Sequence, residues 1–168
     1  KEEFKPIKKG KILLYTCGPT VYDYAHIGNF RAYLFEDLLR RFLEYKNYEV
    51  LHVMNITDID DKTITKCISQ NVPLKEFTDQ YTQYFFDDVK KINILPAHHY
   101  PRATGFIPQM ILMIESLEKK GYTYTTSDNS VFFRIDKFKD YGKLANLNPD
   151  DMKTGERVDQ DEYEKEEG

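Results

Sequence analysis

The chain has 168 residues, enough for one domain with a sizeable core or a domain with an appendage. With 40% hydrophobic and 31% charged residues and no apolar run near the ~18 residues of a membrane span, composition describes a soluble globular protein and argues against one that crosses a bilayer. The net charge of -4 collects in residues 150–168, and the weakly basic remainder lacks the strong basic stripe that marks a nucleic-acid binder by itself.

The opening "KEEFKPIKKGK" has neither the apolar stretch nor the small-residue cleavage site of a secretory signal, so a cytoplasmic protein is expected. Cys17 and Cys67 then read as free thiols or a metal ligand rather than a disulfide framework. "KILLYTC" (11–17) is short, apolar and β-compatible, and Gly18-Pro19 stops it, which predicts a buried strand. From Ile27 the period changes. Ile27, Phe30, Leu34, Phe35, Leu38, Phe42 and Leu43 recur at threes and fours, predicting a helix that ends near Asn47. Glu36 with Arg40, and Asp37 with Arg41, are expected as ion pairs on its wetter face. "YEVLHVMNI" (48–56) reads as a second buried strand, and strand-helix-strand with this crossover implies a right-handed βαβ unit on a parallel sheet.

"NITDIDDKTI" opens another helix, with Thr57 or Asp58 as its cap and acids in its first turn. Leu74, Phe77, Tyr81, Tyr84, Phe85, Asp88 and Ile92 mark a further helix whose aromatic stripe is better explained by core packing than by a cofactor. "LPAHHYPRAT" reads as a connector, followed by a helix from about 105 to 120 that Gly121 can end. "YTYTTSDNSVFFRI" predicts a β-hairpin with a four-residue loop. "NPDDMKTG" offers Asn148 as cap, Pro149 at the first helical position and Gly155 as stop, ahead of an acidic end expected to be flexible.

In an open α/β sheet, ligands bind beyond the carboxyl ends of strands, where helix N-termini present free N–H groups. The stretch from Cys17 to Ile27 has that address: a strand end, a loop, then His26-Ile27-Gly28-Asn29 leading into a long helix. Gly28 lets a ligand approach the backbone, His26 can donate to a phosphate oxygen, and the helix end favours negative charge. Asp58, Asp60 and Asp61 are ready-made Mg²⁺ ligands, but capping and the macrodipole already explain acids in a first turn. His98-His99, adjacent in a loop, is expected at the surface.

"CGPTVYDYAHIGNFR", followed by "MNITDIDDK", then "PRAT" and "GERVD", closely resembles the N-terminal part of the cysteinyl-tRNA synthetases, class I aminoacyl-tRNA synthetases, from about Lys1 to Asp159. The resemblance implies an α/β, Rossmann-like doubly wound parallel sheet carrying a helical and hairpin connective insertion. The implied division is 1–92 for the first part of the catalytic domain, 93–149 for the insertion and 150–168 for the acidic end. It implies ATP binding by the HIGH-type signature through Gly18, Thr20, His26, Gly28 and Asn29, with His26 and Asn29 catalytic. Asn29 stands where that signature has its second histidine, as it commonly does in the cysteinyl branch; an amide can donate a hydrogen bond but cannot carry positive charge. Cys17 is implied as a Zn²⁺ ligand, the ion also taking the thiolate of substrate cysteine, and Thr57 as a neighbour of that substrate. Zinc binds thiolate well and a neutral hydroxyl poorly, whereas a steric difference of one atom discriminates by only about 1–3 kcal/mol.

The family's other zinc ligands, a cysteine, a histidine and a glutamate, match neither Cys67 nor His98-His99. The lysine-rich KMSKS loop and the helical anticodon-binding region likewise have no counterpart in these residues, so this piece alone is expected to be inactive. The implied reaction activates L-cysteine with ATP and Mg²⁺ and passes it to tRNA(Cys), in a monomer. A ligase joining cysteine to an amino sugar, an HxGH-type nucleotidyltransferase and a non-catalytic nucleotide-binding module are the alternatives.

Overall fold

In the computed structural model, residues 3–144 are described, and the chain divides into two compact units, Lys1–Ile107 and Pro108–Gly168. The predicted helix at Asn148–Gly155 and the acidic end lie outside the described residues.

The first unit opens with strand β1 (Lys11–Thr16), helix α1 (Ile27–Tyr45) and strand β2 (Glu49–Met54), and the two strands pair in parallel from Lys11↔Glu49 to Thr16↔Met54. The βαβ order is therefore as expected. Helices α2 (Asp61–Gln70) and α3 (Leu74–Lys91) follow. The core gathers Val21, Tyr33, Met54, Ile56, Phe85, Val89 and Ala97, so the aromatic stripe of α3 is indeed packing. Helix ends follow a common device, with Asn47, Asn71 and Asn93 in the left-handed region (φ 62°, 53° and 59°) just after α1, α2 and α3.

The prolines of "LPAHHYPRAT" conceal a sheet-like segment. Residues 98–103 run parallel to β2 through bridges Val53↔His99 and Ile56↔Arg102, with Met54 N donating to His99 O and Ile56 N to Pro101 O. Proline cannot donate to a ladder, so the pairing is discontinuous and leaves no regular strand pattern to read. β2 is thus paired on both sides. β1 has β2 on one side only; among the described residues its other edge is open.

Helix α1 reverses the expected orientation of its faces. Asp37 and Arg40 are buried, while Leu34, Phe35, Leu38 and Phe42 are 45–68% exposed. The turn at 93–96 supplies the reason, since its backbone needs partners. Asp37 Oδ1 accepts from Leu95 N (2.9 Å), Arg40 donates to Pro96 O (2.7 Å) and Arg41 to Asn93 O (2.7 Å). Arg41 pairs with Asp37 as expected, whereas Arg40 pairs with Glu44 and not Glu36.

The second unit holds helix α4 (Ile107–Lys119), which starts one residue before the division, and the antiparallel hairpin of β3 (Thr123–Thr125) and β4 (Val131–Phe133). A short 3₁₀ turn, Ala103–Phe106, leads into α4 and places Pro108 in its first turn, where no amide donor is needed. A shallow apolar recess of about 420 Å³, lined by Leu117, Lys120, Tyr122, Phe133, Phe138 and Tyr141, carries none of the expected site residues.

Candidate active site

β1 delivers Cys17 to its carboxyl end as an exposed free thiol. The next residue sits under backbone: a Cβ on Gly18 would lie 1.7 Å from the carbonyl oxygen of Asn55. Asn55 is the residue that sequence reading passed over. Its side-chain oxygen accepts from Gly18 N and Tyr15 Oη (both 3.0 Å), while its amide donates to Thr57 Oγ1 (3.0 Å). One side chain therefore ties the cysteine loop to the threonine. Backbone bonds repeat the tie, with Thr57 N donating to Pro19 O (2.9 Å) and Val21 N to Thr57 O (3.1 Å), and Thr20 bridged in parallel to Thr57. Because Thr57 Oγ1 already accepts from Asn55, its hydroxyl proton remains for a ligand. The signal for Asn55 was its place in "MNITDIDDK", an amide directly after a strand.

His26 is the N-cap of α1. Its Nδ1 accepts from Gly28 N (3.0 Å), and Asn29 Oδ1 accepts from His26 N (3.0 Å), so the two residues form a reciprocal capping box. An accepting Nδ1 assigns the ring proton to Nε2, leaving that N–H as a donor at the helix entrance. A Cβ on Gly28 would come within 2.8 Å of His26 Cε1. Glycine there makes room for the histidine ring itself, in addition to any ligand. Asn29 keeps its Nδ2 donor.

The acids of "TDIDD" take separate tasks, correcting the expected cap. Asp60, not Thr57 or Asp58, caps α2 by accepting from Thr63 N (2.8 Å). Asp58 is 2% exposed and reaches 46 residues along the chain, accepting from Thr104 N (2.9 Å) and Thr104 Oγ1 (2.6 Å), with Arg102 at 4.0 Å. Replacing Asp58 with alanine is expected to cost about 2–3 kcal/mol in chemical denaturation, because Thr104 loses both bonds, while Arg102 keeps its ion pair with Asp79. His98 belongs to the scaffold, its Nδ1 accepting from His52 N (2.9 Å). Among the described residues, no three His, Cys, Asp or Glu side chains are grouped to hold a metal ion. These residues alone therefore do not fit a zinc ion.

Behind Cys17, Thr16 Oγ1 meets His52 Nε2 at 2.9 Å, and burial raises the Tyr33 hydroxyl, with Glu36 and Cys17 adding to the effect. Burial holds His52 below its ordinary value, reinforced by Arg40 and His98 and opposed by Asp37 and Glu44. The native state thus resists a proton that the unfolded chain accepts. Stability is present above the unfolded value of 6.5 and is lost as pH falls below it. Glu36, raised by burial, acts oppositely, stability falling as pH rises above 4.5. Between pH 7 and 5 the two groups act in opposite directions, so the comparison decides: lowering the pH is expected to shift the denaturation midpoint of the parent downwards relative to that of His52→Gln.

The model of the tRNA synthetases class I (C) catalytic domain matches residues 3–168. The chain belongs to that family. Its relatives include the cysteine-tRNA ligases of Chlamydia caviae, 55% identical over 92% of this chain and 33% of theirs, and of Protochlamydia amoebophila, 51% identical over 99% of this chain and 35% of theirs. That of Chlamydia trachomatis is 49% identical over 98% of this chain. The chain spans about a third of the length of the curated relatives it matches. The α/β class agrees with the family. Among the described residues, no helix is long and apolar enough to cross a membrane.

Proposed function

We propose that this family member activates L-cysteine with ATP and Mg²⁺ and transfers it to tRNA(Cys) in the cytoplasm. The observation that carries this reading is the pairing of an exposed thiol at the end of β1 with a capped helix N-terminus nine residues on, at which His26 keeps one ring N–H for a ligand. The cysteine-tRNA ligase relatives, matched along nearly the whole chain, favour it over an amino-sugar ligase or a nucleotidyltransferase.

In this reading the carboxylate of cysteine attacks the α-phosphate of ATP, pyrophosphate leaves, and the acyl group passes to the terminal ribose of the tRNA. His26 Nε2–H and the positive end of the α1 dipole stabilise charge on the phosphates, Asn29 adds an amide donor, and Gly18, Thr20 and Gly28 line the nucleotide's approach. Thr57 offers its hydroxyl to the amino acid. We assign Cys17 as a residue that would help hold a zinc ion in the full protein, together with ligands that these residues do not supply. Such an ion would supply preference for thiolate over a neutral hydroxyl.

The finer fold belongs to the same proposal: a doubly wound sheet, with residues 1–92 its first part, 93–149 the connective insertion anchored on β2 by residues 98–103, and 150–168 an acidic end. The open edge of β1, exposed Leu13 and Tyr15, and the exposed apolar face of α1 support further strands on that side. Cys17 would then sit where strand order reverses, the usual ligand crevice of such sheets.

His26 provides the test in the full protein. Asparagine retains a good cap but not the reach of the imidazole. His26→Asn is expected to melt like the parent while slowing cysteine-dependent exchange of pyrophosphate into ATP by about 10²–10³-fold, with the KM for cysteine little changed. Equal losses in both parameters would refute the assigned role.

A further inference from the structure

We propose that Tyr22, Asp23 and Tyr24 form a side-chain latch clamped by α2 and α3, and that Lys66 is the positioning residue that sets His26 in place. The catalytic part of this inference rests on the function proposed above.

The argument begins with what does not hold this segment. Val21 N is tied to Thr57 O before the segment, and Asn29 N to His26 O after it. Val21 and Tyr22 form a turn, and beyond it Tyr24 and Ala25 belong to neither a strand nor a helix; Tyr24 N donates to the side chain of Asp23, at Oδ1 (2.8 Å). Side chains must fix the approach to His26.

They do so from two helices. Lys66 of α2 donates to Asp23 Oδ2 (2.5 Å) while its ammonium stands 5.1 Å from the centre of the Tyr22 ring, and Lys62, one turn earlier, stands at 5.4 Å. From α3, Tyr84 stacks on Tyr24 (4.9 Å between centres, planes 26° apart) and Tyr81 meets it edge-on at 5.5 Å. The ion pair lowers the Asp23 carboxyl and raises the Lys66 ammonium, each stabilising the charged form of the other. Only Ala25 separates the clamped residues from His26, so slack in the latch moves the imidazole. Small misplacements of a reacting group cost rate out of proportion to distance.

The experiment uses the full protein and three substitutions. Lys66→Met removes the charge at similar length, Lys66→Arg restores a cation, and Tyr24→Leu breaks the stack at a 59% exposed position. Hydrogen exchange of the Tyr24–Gly28 amides should quicken about tenfold in Lys66→Met and Tyr24→Leu and return towards the parent in Lys66→Arg. The rate of cysteine-dependent pyrophosphate exchange should fall about tenfold in the first two, with KM for ATP and cysteine within about twofold and Tm nearly unchanged. Unchanged amide exchange, or faster amides with an unchanged rate, would overturn the latch. A selective rise in KM for ATP would instead make Lys66 a direct nucleotide ligand, which also overturns it. A parent without cysteine-dependent exchange would sink the functional reading, and the amide comparison would still decide the latch.

Discussion

Replacing Cys17 with alanine in the full protein is expected to reduce cysteine-dependent pyrophosphate exchange by about 100-fold or more and to abolish the preference for cysteine over serine. The expectation comes from chemistry and position together. Serine and cysteine differ in one atom, so a pocket that judged size alone would separate them weakly, whereas a thiolate-preferring ion separates them by bonding. Cys17 is exposed at the open end of β1, unlike Cys67, which is buried on α2 with its thiol donating to Ile64 O (3.1 Å). Cys67→Ala should therefore keep both activity and metal. Zinc per chain, measured on the purified parent and on Cys17→Ala, should fall from one towards zero. Normal charging and normal rejection of serine by Cys17→Ala, with no metal bound, would remove the basis of the assignment.

The parts of this molecule that could be read from sequence are those where local and tertiary demands coincide. β2 has a clean apolar pattern, α3 packs the stripe that its spacing announces, the hairpin has a polar loop between aromatic strands, and the loop from Cys17 to Asn29 carries its signature in order; α1 is legible as a helix but not in the face it buries. The misreadings share a cause, which is long-range satisfaction of backbone. Asp37 and Arg40 look like a wet face until the turn at 93–96 is seen to need their side chains. Asp58 looks like a cap until Thr104, 46 residues away, is found bonded to both of its oxygens. Residues 98–103 look like a connector because Pro101 interrupts a ladder that β2 nevertheless completes on either side. Asn55 escaped notice for a related reason. Its task is to join two loops, and neither loop names its partner.

Gly18→Ala tests that junction and is expected to be the most damaging single methyl group in the first unit. The Cβ would lie 1.7 Å from Asn55 O and 2.8 Å from Met54 Cγ, and both belong to a strand end pinned on its far side by residues 98–103. Met54 is 3% exposed and packs in the core, so neither atom can give way cheaply. Relief requires the 17–21 loop to part from β2, breaking the bonds of Asn55 to Gly18 and of Thr57 to Pro19 and Val21. A loss of at least about 3 kcal/mol in chemical denaturation is expected, or failure to fold. Asn55→Ala should be milder, about 1–3 kcal/mol, since it leaves donors unpaired without a clash. Should Gly18→Ala fold with parental stability, the close approach of the two strand ends would be wrong, and with it the placement of Thr57 beside the cysteine loop. Should it fold slightly weakened but lose cysteine activation entirely, the same contact would be shown to set the spacing between Cys17 and Thr57.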